Sequence, residues 1–95
     1  MIVDAHHHIW RRADLPWLLG PTRPRIFGPY DGLKRDYLIA DFLADLKGSG
    51  VTHSVYVQAN WAPNWFADEA RWVAKVADQS GWPHGQVAFC DMTQA

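Results

Sequence analysis

Within its first eight residues the chain places a carboxylate, Asp4, ahead of three consecutive imidazoles, His6, His7 and His8. Ile2-Val3 before them and Ile9-Trp10 after them give the segment the apolar setting of a short buried strand, residues 2 to 8. Side chains alternate faces along a strand, so His6 and His8 share one face and His7 takes the other. Two imidazoles on one face at a strand end can serve as metal ligands or as proton-transfer groups. Asp4 falls on their face and can orient one of the rings through its nitrogen. His6, His8 and Asp4 are therefore the candidate catalytic residues, His6 and His8 the candidate metal ligands, and His7 is structural.

The elements that would position these groups follow in order. Residues 9 to 36 form a long connection whose Pro16, Pro21, Pro24 and Pro29, with Gly20, Gly28 and Gly32, exclude a long helix. Its aromatics, Trp10, Trp17, Phe27 and Tyr30, imply that it packs over something, and Trp10 and Trp17 are candidate pocket walls. Leu38, Ile39, Phe42, Leu43 and Leu46 form one apolar helical stripe that Gly48 and Gly50 end. A second strand runs from His53 to Ala59. There Val55 and Val57 suit a helix-packed layer, which leaves Ser54, Tyr56 and Gln58 on the opposite, polar face. Gln58 can hydrogen-bond a substrate carbonyl or hydroxyl without changing charge. A second helix is expected from Trp65 to Ser80, ended by Gly81 and Pro83, and a third strand from Gln86 to Asp91.

Strands alternating with helices imply parallel strands joined by crossovers, with a site at the strands' C-terminal ends. Among the remaining polar residues, Arg35 suits either a substrate carboxylate or a salt bridge near a helix start. Glu69 suits either a site or the first turns of a helix, where its charge meets the helix dipole. Asp91 is a further strand-end candidate, while His53, His84 and Cys90 read as structural.

Composition narrows the function classes. Nine Lys and Arg against ten acidic residues leave a formal charge of −1, and the bases are scattered, so nucleic acid is not an expected partner. No apolar run approaches the ~20 residues of a membrane span. A lone cysteine cannot form an internal disulfide and fits a reducing, cytoplasmic setting. Six tryptophans in 95 residues, several in loops beside Pro or Asn, point to a pocket or a partner surface.

Asp4-Ala5-His6-His7-His8-Ile9-Trp10, followed by Leu15-Pro16-Trp17-Leu18, Arg35-Asp36-Tyr37-Leu38, Val57-Gln58 and Glu69, resembles the start of amidohydrolase-related proteins. The similarity covers nearly the whole chain and is nearest to the branch that holds sugar lactonases and 2-pyrone-4,6-dicarboxylate lactonase. It implies an α/β chain forming the N-terminal β-α-β-α-β portion of a TIM-type (β/α)8 barrel. It also implies hydrolysis of a lactone or related cyclic ester, with His6 and His8 matching the first-strand pair that binds a divalent ion such as zinc in metal-using members. A metal-independent route, in which the histidines stabilise the carbonyl oxygen, stays open. A complete barrel takes ~250 residues, so this chain is expected to be inactive alone and to self-associate through open sheet edges, as a homo-oligomer or less orderly. The substrate is then a small molecule. The competing functions are a non-oxidative decarboxylase of the same superfamily and a non-catalytic binding module.

Overall fold

The computed structural model describes residues 1–20, 30–61, 64–90 and 93. Strand β1 (Val3–His7) leads through a 3-10 turn (Arg12–Asp14), the short helix α1 (Pro16–Leu19) and a second 3-10 turn (Asp31–Leu33) to helix α2 (Ile39–Asp45). Strand β2 (His53–Val57), helix α3 (Phe66–Ser80) and strand β3 (Gly85–Val87) complete the order. The three strands are parallel and lie in the order β1-β2-β3. Local chemistry explains the boundaries. Asp41 turns its carboxylate back to accept the Leu38 N–H at 2.8 Å, which satisfies one of the free donors at the start of α2. Gly81 ends α3 in the left-handed region at φ +80°, where its N–H donates to the Ala77 carbonyl.

The expected fragment of a TIM-type (β/α)8 barrel is not what the chain forms. Its described residues fold as a small open sheet of three parallel strands with three helices. Closing a barrel needs a full circuit of tilted, staggered strands, and among the described residues β1 and β3 are both sheet edges. β3 is also shorter than the expected strand over 86–91: it spans Gly85–Val87, all exposed, and Asp91 lies outside the described residues, as does Phe27.

The assignment of faces also needs correction. Tyr56 is fully buried against Ile9, Phe42 and Val73, in the layer between sheet and helices, while Val55 and Val57 are only half-buried. The polar face expected of β2 is thus its helix-packed face. Tyr56 sits there because its ring fills the core and its hydroxyl finds a buried acceptor, Glu69 of α3. Nor is β1 a buried strand. Val3, Ala5 and His6 are exposed, and the ladder to β2 slips between Asp4 and His7, so strict alternation does not hold across it. That slip brings His7 opposite Tyr56 and into the core.

A second core lies under the long connection. Leu15 and Leu18 are fully buried with Tyr30, Ala59 and Trp61, and Trp72 packs against both cores. The connection is pinned to the rest of the molecule at Trp10 and Tyr37, which exchange backbone hydrogen bonds of 2.7 and 2.8 Å. The Trp10 indole N–H also donates to the Arg35 carbonyl, and Asp36 accepts the Arg12 N–H. The Arg35-Asp36-Tyr37 stretch is therefore a clasp for the segment that follows β1.

Candidate functional site

A cavity of about 380 Å³ opens where the C-terminal ends of β1 and β2 meet the long connection. It is lined by His8, Trp10, Leu15, Trp17, Leu33, Gln58, Ala59 and Asn60. Of the residues singled out from the sequence, His8, Trp10, Trp17 and Gln58 thus share one wall system.

Each is held by a specific partner. His8 Nδ1 lies 2.7 Å from the Val57 carbonyl oxygen. A carbonyl can only accept, so Nδ1 carries the hydrogen and donates. In the neutral ring this leaves a lone pair on Nε2, the form needed to take a proton or to ligate a cation. The Gln58 side-chain oxygen accepts the Asn60 N–H at 2.8 Å, and Asn60 itself takes the left-handed backbone at φ +60°. Gln58 thus lines the cavity with its side-chain oxygen engaged. The Trp17 indole donates to the Ala59 carbonyl at 3.1 Å, which fixes a second aromatic wall. The cavity therefore combines an imidazole and an amide side chain with broad apolar walls.

His6 and His8 do come together. Their rings lie edge to face with centroids 5.1 Å apart, although His6 is exposed and lies outside the cavity lining. Asp4 does not meet an imidazole nitrogen as expected. Its carboxylate accepts the backbone N–H of His6 at 3.1 Å, so it braces the strand. The second-residue spacing that suggested a ring contact suits a local carboxylate-to-backbone bond equally well.

His7 is buried, with its ring stacked on Phe42 at 3.9 Å. Neither ring nitrogen has a partner among the described residues. Burial is the main cause that lowers its pKa from 6.5 to about 4, opposed by the nearby charge of Asp4. His7 is thus a neutral core residue between two site histidines.

Sequence reasoning passed over Ala59 and Asn60. An Asn directly after a strand is a known host of left-handed backbone, and that was the available signal. Glu69 does more than meet a helix dipole. It is buried, and one carboxylate oxygen accepts both the Tyr56 hydroxyl and the Ala59 N–H, the latter at 2.7 Å. Burial and the Glu69 carboxylate push the Tyr56 hydroxyl well above its ordinary value of 10. Glu69 therefore supports the cavity from behind, because Ala59 holds Trp17. Arg35 stays exposed, its guanidinium 5.4 Å from the Tyr37 ring centre, and meets no carboxylate in a salt bridge among the described residues.

Among the described residues no group of three or more His, Cys, Asp or Glu side chains is arranged to hold a metal ion. His6 and His8 are one fewer than the three protein ligands of a typical catalytic zinc site. Nor is any described helix long and apolar enough to cross a membrane.

No family model matches the chain, and no solved structure matches it. It is 39% identical over 92 residues to y4mH of Sinorhizobium fredii, a protein whose name describes it as uncharacterized. That alignment takes in 95% of this chain and 31% of the relative, so the chain spans about a third of the relative's length.

Proposed function

We propose that the cavity is the substrate pocket of a hydrolytic centre that opens a cyclic ester, a sugar lactone in the first instance. The observation that carries this reading is the pairing, in one apolar-walled cavity, of a His8 ring whose Nδ1 is committed to Val57 with a Gln58 amide whose oxygen is committed to Asn60. Hydrolysis needs a base for water and donors for the carbonyl oxygen, and these two side chains supply one each.

In this mechanism His8 Nε2 removes a proton as a water oxygen bonds to the lactone carbonyl carbon. The carbonyl π electrons move to oxygen, where the Gln58 amide hydrogens stabilise the charge. As the carbonyl re-forms, the bond to the ring oxygen breaks, and that oxygen takes the proton back from the His8 imidazolium. The product is an open hydroxy acid. Trp10 and Trp17 exclude bulk water and press on the apolar face of the ring. His6 stands beside His8 as a second imidazole, and Asp4 keeps the intervening backbone in place. His6 and His8 would supply two ligands to a divalent ion, which would polarise the carbonyl, and no step is routed through it.

The activity is proposed for the whole protein, in a cytoplasmic setting, with these residues contributing the pocket. Pocket binding can be measured on the 95-residue chain with a sugar lactam, which keeps the ring and carbonyl but resists hydrolysis. Adding it should shift the His8 Nε2 nitrogen resonance and the Gln58 amide protons. Unchanged resonances at saturating lactam would remove the pocket from the reading.

A further inference from the structure

We propose that a second recess, bounded by Ala13, Asp14, Trp61 and Trp65, is a binding site for an uncharged pyranose ring. The recess has a volume of about 230 Å³ and is separate from the cavity at His8. Its charge pattern selects the ligand. Arg11 Nε donates to Asp14 Oδ2 at 2.7 Å, while the Arg11 guanidinium carbon lies 4.9 Å from the Trp72 ring centre and 5.6 Å from that of Trp61. The place a cationic ligand would take against Trp61 is thus already filled by a cation of the chain. An anion would meet the Asp14 carboxylate. A neutral ligand meets neither penalty.

The remaining groups suit a sugar. Trp65 is 57% exposed, an indole surface large enough to stack on the C–H face of a pyranose. Trp61 is 6% exposed, and its indole N–H is buried without an acceptor among the described residues. Trp61 therefore meets a ligand through its ring and not through its N–H, as a flat apolar wall beside Trp65. Asp14 uses one oxygen for Arg11, and the other can accept a hydroxyl hydrogen. Trp61 packs against Trp72, whose ring centre lies 5.7 Å away. This inference does not depend on the cyclic-ester reading.

Saturation-transfer NMR on the 95-residue chain tests it, using the methyl pyranosides of glucose, galactose and mannose, with choline and glucuronate as charged controls. At least one neutral pyranoside should give a saturable signal that Trp65→Ala weakens at least tenfold and Trp65→Phe largely retains. Circular dichroism should be unchanged in both, and Gln58→Ala should leave the signal intact. Absence of signal from all three pyranosides would overturn the site. So would preference for choline or glucuronate, or equal binding by Trp65→Ala.

Discussion

The assignment of His8 as base rests on one hydrogen bond, from its Nδ1 to the Val57 carbonyl. If that bond sets the tautomer, His8→Gln should lose turnover even though glutamine can still donate to Val57, because no basic nitrogen then faces the cavity. A loss of ~10²-fold or more in kcat, the usual range for a positioned base, is expected in a steady-state assay, with KM little changed. His7 gives a prediction of a different kind. Its folded pKa of about 4 lies below the unfolded value of 6.5, so between those values the unfolded chain binds more protons. Stability from the neutral ring is fully present above pH 6.5 and is lost as pH falls towards 4. In His7→Phe, which keeps the stacking on Phe42, urea midpoints should fall less between pH 7 and pH 4.5 than in the parent. Equal slopes in the two proteins would show that His7 is not the buried base described. The approach of His6 to His8 was legible in the sequence from the period of two along a strand, whereas the slip that sends His7 into the core was not. The destination of Asp4 was not, since a backbone N–H two residues on competes with any ring for its carboxylate.

Among the elements, α3 does more than cover the sheet. Through Glu69 it holds the hydroxyl of Tyr56 and the backbone of Ala59, and Ala59 in turn holds Trp17. Glu69→Leu leaves two donors buried and unpaired, at about 1–3 kcal/mol each. Tyr56→Phe removes only one donor and should cost ~1 kcal/mol. Chemical denaturation of both variants should therefore rank Glu69→Leu well below Tyr56→Phe. Parity between them would mean that the Ala59 link carries no weight. The helix itself was plain from Phe66, Ala70, Val73 and Ala77 with Gly81 beyond. The role of Glu69 was hidden because an acid near a helix start has a sufficient local reason to be there. The inverted faces of β2 have a related cause. Valine is apolar by type, but Tyr56 fills more of the core, and a buried carboxylate makes its hydroxyl acceptable inside.

For the whole molecule, the open sheet has consequences for association. Val3 and Val87 lie on the two edge strands and are 47% and 55% exposed, while Ile2 and Phe89 nearby are 52% and 43% exposed. Unpaired strand edges with apolar side chains invite pairing with another copy. Sedimentation of the 95-residue chain should show mass rising with concentration, and Val87→Lys should suppress that rise. A strict monomer at high concentration would count against the exposed edges as contact surfaces. The β and α order suggests part of a closed barrel, whereas the three strands among the described residues retain two edges. The central proposal, that His8 and Gln58 work on a cyclic ester in one pocket, is met most directly by a pH-stat assay of acid release from a panel of sugar lactones. It predicts release by the whole protein above the spontaneous rate on at least one lactone, falling at least tenfold in both His8→Ala and Gln58→Ala with secondary structure intact. Release that persists undiminished in both variants, or no release from any lactone, would contradict it.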